Sequence, residues 1–253
     1  MLNIVIPMAG LGSRFAQAGF TDPKPFIQVE GLPMVELVVR NLRPNRPHKF
    51  IFICQQAHLD RYAFYRRLQK LAPKCEVVGL SGITQGAACS VLAASQFINN
   101  DQPLMIANSD QWVDTNIDDY LETMERRDLD GLIMTFNSSE SKWSYVLRDE
   151  QNWVRKVVEK EVVSNEATVG IYNFRRGEDF CRLAKEMIKC DERSMGEFYV
   201  APVYTHFYKE GFKRIDTYQI GTGMYGLGTP DDLATFIKSD VLEKALNSGR
   251  TAV

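Results

Sequence analysis

Short apolar runs rich in branched residues alternate along this chain with longer amphipathic segments, the pattern of a sheet whose strands are joined by helices. Runs at 2–8, 49–54, 75–80, 103–108 and 131–137 predict strands. Between them, Leu59, Tyr62, Tyr65 and Leu68 share one face of a helix over 58–71, and Val91, Leu92, Ala94, Ser95 and Ile98 recur at helical spacing over 86–98. Asn116 caps a further helix that runs to about 127, with Asp118 and Asp119 in its first turn. Past 138 the pattern changes. Segments 144–148 and 153–159 read as strands around a turn at 149–152, and 168–174 as another strand, so a small β flap is expected on the main sheet. Helices are expected at 177–189 and 197–209, and a strand at 213–218. The final helix begins at Pro230 behind the N-cap Thr229, with Asp232 at the capping-box position and Leu233, Phe236, Ile237 and Val241 on its apolar face. The whole reads as α/β, with no internal repeat, linker or low-complexity tract.

Composition narrows the class. The chain has 253 residues, 45% hydrophobic and 25% charged, enough to bury a substantial core in one domain. Its 30 basic and 32 acidic residues leave a formal charge of -2 with no dense basic run, so a nucleic-acid partner is not expected and any bound phosphate is small. No apolar run reaches the length of a membrane span, and the first one lacks the basic lead-in of a signal peptide, so a cytoplasmic protein is expected. The five cysteines form no C-x-x-C pair, and none of the three histidines pairs with them at a spacing suited to catalysis or zinc; structural thiols are expected.

Three segments carry candidate chemistry. The first strand empties into Ala9-Gly10-Leu11-Gly12-Ser13-Arg14-Phe15, where two glycines let the backbone approach an anion and Arg14 supplies charge. The same glycine pair also suits a plain tight turn with Arg14 as a surface charge. Lys24, between Pro23 and Pro25, is presented from a restrained backbone, which lowers the entropy cost of ordering it on a phosphate. The apolar run 104–107 delivers Asn108, Ser109 and Asp110 at a strand's carboxyl end, where open α/β sheets place their ligands. A carboxylate there suits magnesium carried on a triphosphate, or caps a helix.

Taken in order, G-L-G-S-R-F with P-K-P, T-Q-G-A-A at 84–88, N-S-D at 108–110, V-E-K at 158–160 and G-L-G-T-P-D-D-L at 226–233 resemble the nucleotidyltransferases that make nucleotide sugars. The resemblance spans nearly the whole chain. It implies a Rossmann-like three-layer α/β/α sandwich with a mixed, mostly parallel sheet and a small β flap on the acceptor side. It further implies one domain over 1–253, with a nucleotide-binding half at about 1–138 and an acceptor-binding half at about 139–253. Carried over by motif, Ala9, Gly10, Leu11, Gly12, Ser13 and Arg14 grip the triphosphate, joined by Lys24, Gln85, Gly86, Ala87 and Ser109. Gln85 and Gly86 fall in the segment that reads the base, where a helix N-terminus with a capping glutamine is the plain alternative. Asp110 holds Mg2+ or Mn2+. Glu159 and Lys160 hold the acceptor, unless they form a flap salt bridge, and Gly170 belongs with them. Tyr172 and Trp143, with Tyr145, Trp112 and Tyr199, are available to floor the acceptor pocket or to pack in the core.

The implied reaction joins a nucleoside triphosphate, a pyrimidine by preference, to a sugar 1-phosphate or similar small phosphate for surface polysaccharide synthesis, releasing pyrophosphate. Arg14, Lys24, Asp110 and Lys160 carry the catalysis. The family's cytidylyltransferases for choline-like or amino-acid-derived phosphates are the nearest alternative; a glycosyltransferase of related fold and a non-catalytic nucleotide-binding module are the others. A homodimer is also implied. Two departures stand out: Gly226 occupies the place of an aspartate that supplies a second metal carboxylate, with Asp216 as a substitute candidate, and Glu161 replaces a proline.

Overall fold

The computed structural model describes residues 1–212 and 214–248. Thirteen strands are present among them: β1 Leu2–Pro7, β2 Gln28–Val29, β3 Leu32–Pro33, β4 His48–Gln55, β5 Glu76–Leu80, β6 Leu104–Ala107, β7 Gln111–Val113, β8 Gly131–Asn137, β9 Ser144–Arg148, β10 Val154–Glu159, β11 Glu166–Phe174, β12 Ile215–Gln219 and β13 Met224–Gly226. Nine of them form one sheet in the order β10-β9-β11-β6-β1-β4-β5, with β8 and β12 branching from β11. The pairs β1–β4, β1–β6, β4–β5 and β8–β12 are parallel, and only β10 and β11 run against the rest. This is the mixed, mostly parallel sheet expected, with the hairpin of β9 and β10 as its flap.

Alternation along β1 explains the layers. Ile4 and Ile6 face one side, where helices Met34–Leu42, Phe64–Leu71 and Ile117–Arg126 bring Val38, Leu68 and Leu121. Val5 faces the other, against Val91 and the helices Gly177–Lys189 and Val203–Lys209 through Leu183 and Phe207. A third cluster joins Phe15, Ile27, Met34, Trp112, Leu227, Leu233 and Phe236, so the first loop, the segment after β6 and the C-terminal helices share one core. Each such side chain contributes roughly 1.5 to 3 kcal/mol when fully buried.

Several expected elements change. The helix over 58–71 is two helices, Gln56–Tyr62 and Phe64–Leu71, because Ala63 adopts a left-handed conformation with φ 52°. That over 86–98 is also two, Ala87–Leu92 and Ser95–Ile98, separated at Ala93 and Ala94 by tighter turns whose N–H groups donate three residues back, to Ser90 O and Val91 O. The helix expected over 197–209 begins only at Val203, since Phe198 is drawn into extended pairing: its N–H donates to Gln85 O and its carbonyl accepts from Ala88 N, each at 2.9 Å. The strand expected at 213–218 is Ile215–Gln219, and Lys213 lies outside the described residues. The last expected helix stops at Ile237, and Val241 instead precedes a separate helix, Leu242–Asn247.

Cys54, Cys75 and Cys181 are buried, and burial pushes their thiols up to about 12, about 11 and about 11, which suppresses the nucleophilic thiolate. Among the described residues no helix is long and apolar enough to cross a membrane.

Candidate active site

At the carboxyl ends of β1 and β6 lies a cavity of about 600 Å³. The loop Ala9, Gly10, Leu11, Gly12, Ser13 and Arg14 forms one wall, and Lys24, Ser109 and Asp110 form the end. Gly86 and Ala87 stand opposite, with Thr84 and Ser90. Every nucleotide-binding residue expected from sequence therefore lines one space, with the exception of Gln85.

The loop's geometry explains its sequence. Met8 N–H donates to Ile53 O at 2.8 Å and Gln55 Nε2 to Ala9 O at 2.5 Å, tying the strand exit to β4. Beyond that, the backbone N–H groups of Gly10, Leu11, Gly12, Ser13 and Arg14 have no acceptor among the described residues. Five consecutive backbone donors without a protein acceptor line the cavity, as an anion-binding concavity requires. Gly12 has φ 63°, and a Cβ there would meet the Lys24 Cβ at 3.1 Å, so glycine both permits the turn and lets the lysine stem close on the loop. Phe15, buried in the third cluster, anchors the short helix Ser13–Gln17 that carries Arg14. Arg14 is exposed, and its guanidinium makes no hydrogen bond or ion pair among the described residues, while its carbonyl accepts from Ala18 N–H at 3.1 Å.

Lys24 and Asp110 meet. Lys24 Nζ donates to Asp110 Oδ2 at 2.6 Å and to Gly228 O at 3.3 Å, with both side chains half-buried. A two-stranded ribbon brings the far end of the chain here: β13 pairs β7, setting Gly226 opposite Gln111, and Leu227 N–H donates to Asp110 O at 2.8 Å. The substitute Asp216 is elsewhere. It is buried and ion-paired to Arg148 at 2.9 Å and to Arg127, which corrects its assignment as a metal carboxylate. The carboxylate near Gly226 is Asp232: a Cβ on Gly226 would lie 3.6 Å from Asp232 Cγ.

Within the 84–88 segment, Gly86 adopts φ 130°, and any Cβ would meet the Phe198 backbone at 2.5 Å. Gln85 is exposed and is not part of the cavity lining: its Oε1 accepts from Arg193 Nη2 at 2.7 Å, while Arg193 also lies 4.2 Å from the centre of the Phe198 ring. A guanidinium only donates, so the Gln85 amide must present its NH2 outward.

The residues expected to hold the acceptor gather around the flap. Ser144 Oγ donates to the Glu159 carboxylate, and burial raises the Glu159 pKa above its usual range, with Glu197 adding to the effect. Lys160 has φ 56°, its N–H donates to Trp143 O at 3.0 Å, and its Nζ reaches the Tyr199 hydroxyl at 3.4 Å. Tyr172 is buried beneath, its hydroxyl 3.1 Å from Thr168 Oγ1. Gly170, at φ 91° and expected on the acceptor side, instead backs this cavity, because a Cβ there would strike the cavity-lining Asn108 at Nδ2, 2.3 Å away. Trp143 packs edge-on against Phe136 at 5.3 Å. Tyr145 and Trp112 are core residues, buried in the first and third clusters, and do not floor a pocket. Sequence reading missed Glu197, which lines the cavity, and Arg193; both sit in the irregular 190–202 segment, and Glu197 reads as the start of the helix expected over 197–209.

Residues 4–204 match the sequence profile of the nucleotidyl transferase family, and the chain belongs to that family. It is a nucleotidyltransferase. Among solved structures, its fold is similar to a nucleoside-diphosphate-sugar pyrophosphorylase from Vibrio cholerae RC9, at TM-score 0.82 and 24% identity, covering 93% of this chain and 100% of that one. It is also similar to the inositol-1-phosphate CTP transferase from T. maritima, at TM-score 0.74 and 14% identity, covering 99% and 97%. At these identities the likeness is one of fold. A search of curated protein sequences found no match.

Proposed function

We propose that this nucleotidyltransferase joins a nucleoside triphosphate to a small phosphorylated acceptor, such as a sugar 1-phosphate, and releases pyrophosphate. The observation that carries this reading is the row of unused amides from Gly10 to Arg14 on the same cavity as Lys24 and Asp110. A phosphate oxygen of the acceptor attacks the α-phosphorus in line; the new P–O bond forms as the bond to the β-phosphate's bridging oxygen breaks. The attacking oxygen is already ionised near neutral pH, so no general base is needed. Catalysis then rests on positioning and charge neutralisation. The Gly10–Arg14 amides and Arg14 receive the β- and γ-phosphates, Lys24 the α-phosphoryl oxygens, and Lys160 the acceptor's phosphate. Glu159 accepts from acceptor hydroxyls. Gly86, Ala87 and Ser90 leave a compact wall for a pyrimidine ring, and the Gln85 amide stands next to Gly86, outside that wall.

Asp110 fits a divalent cation, since a cation, the Lys24 ammonium, already rests on its Oδ2 and on Gly228 O. Bound with the nucleotide, Mg2+ or Mn2+ would supply further neutralisation of phosphate charge. Phosphate oxygens of the nucleotide and water would complete its coordination.

A second reading, a cytidylyltransferase for a choline-like phosphate, is favoured by the proximity of Glu197 to Glu159, since two carboxylates suit an ammonium group. Pyrophosphate release across CTP, UTP, dTTP, ATP and GTP, each with glucose 1-phosphate, inositol 1-phosphate and choline phosphate, tests both. Release that requires a phosphorylated acceptor supports the proposal; its absence from every pair rejects it.

A further inference from the structure

We infer that Asp232 is the second carboxylate ligand, beside Asp110, for the divalent cation that accompanies the triphosphate. The inference rests on the proposed function and deepens it. Asp110 Oδ2 and Asp232 Oδ2 flank one small region of space: they lie 3.3 and 3.7 Å from the position a Cβ would take on Gly228. A side chain on Gly228 would wedge between the two carboxylates, and one on Gly226 would crowd Asp232 from behind, at 3.6 Å from its Cγ. Glycine at both positions leaves the two carboxylates facing a shared opening. Asp232 is held for the task by its neighbour: the Thr229 hydroxyl donates to Asp232 Oδ2 at 2.7 Å, while Oδ1 has no partner among the described residues. In an ordinary capping box that carboxylate would turn back to the N-cap's backbone N–H, and here it does not.

The pair also explains the position of Lys24. Its ammonium is bound by Asp110 Oδ2 and Gly228 O, two oxygens of the same opening, and so stands where positive charge is wanted before the nucleotide arrives. When phosphate draws the ammonium off, the vacated oxygens and Asp232 make a hard-oxygen site for a cation with phosphate and water as its other ligands.

Mn2+ alone, titrated into the full chain and followed by the loss of the free-ion EPR signal, tests this in a Lys24→Met background that removes the competing ammonium. Adding Asp232→Asn, which keeps an acceptor for the Thr229 hydroxyl, is expected to weaken Mn2+ binding at least about tenfold, as is adding Asp110→Asn. Adding Gly226→Asp to the Asp232→Asn protein is expected to restore it. The inference is overturned if Asp232→Asn leaves Mn2+ affinity unchanged while Asp110→Asn abolishes it, or if the Lys24→Met protein binds no Mn2+. Pyrophosphate release by the unaltered chain separates the two ideas: turnover with unaffected Mn2+ binding in Asp232→Asn rejects the ligand alone, whereas no turnover with weakened Mn2+ binding rejects the reaction and leaves the carboxylate pair standing.

Discussion

Lys24 Nζ lies 2.6 Å from Asp110 Oδ2 across a separation of 86 residues, and this contact joins the first loop to the end of β6. The third core cluster makes it reproducible: Phe15 and Ile27 flank the lysine in sequence, Trp112 follows the aspartate, and Leu227 leads to Gly228, whose carbonyl is the lysine's other partner. Removing either charge removes one preorganised electrostatic contact to the reacting phosphates. Lys24→Ala and Asp110→Asn are each expected to lower kcat for pyrophosphate release by on the order of a hundredfold. Steady-state kinetics beside a circular-dichroism spectrum that stays native checks this.

Arg193 holds the Gln85 amide by its oxygen and stacks on Phe198. Arg193→Ala frees that amide to rotate, which weakens any contact with the base by about 1 kcal/mol, or roughly fivefold in KM for the triphosphate. Because the loop is remote from the reacting atoms, kcat is expected to stay nearly unchanged. A comparable fall in kcat with constant KM would rule out a role in base binding.

Gly86 combines φ 130° with a Phe198 backbone that a Cβ would meet at 2.5 Å. Gly86→Ala therefore adds strain and overpacking together, roughly 2 to 4 kcal/mol. The expected outcome is a clear drop in the denaturation midpoint, together with loss of nucleotide binding as the 84–88 segment shifts.

Glu159 has its pKa raised in the folded protein, chiefly by burial, with Glu197 adding to it. The folded state thus holds a proton that the unfolded chain has released, so stability falls as pH rises from the ordinary glutamate range through the raised value. Glu159→Gln removes this dependence and keeps an acceptor for Ser144. Relative to the unaltered chain, the variant is expected to gain stability at pH 7 and to show no such gain at pH 4, as read from thermal midpoints. Loss of acceptor binding should accompany the gain.

Much of this was legible in the amino-acid order. β8 and β9 match their expected bounds because each is a short branched run between clear turn signals, and the helix Gly177–Lys189 because its apolar spacing is regular. The loop, Lys24 and Asp110 were legible as motifs. Their contact was not, since it depends on β7 and β13, strands of three residues each, too short to leave a periodic signal. The helix Met34–Leu42 passed unseen because its Val35, Leu37, Val38 and Val39 read equally well as a strand. Asp232 looked like a cap residue, and only the packing of Gly226 and Gly228 against it gives it another role.

The most direct test mixes the unaltered chain with Mg2+, a pyrimidine triphosphate and a phosphorylated acceptor, and follows pyrophosphate together with the nucleotide-linked product. The account requires the two products in equal amounts, only when the acceptor carries its phosphate. Nucleotide binding without pyrophosphate across the full acceptor panel, or turnover of a nucleotide sugar with no triphosphate present, would contradict it.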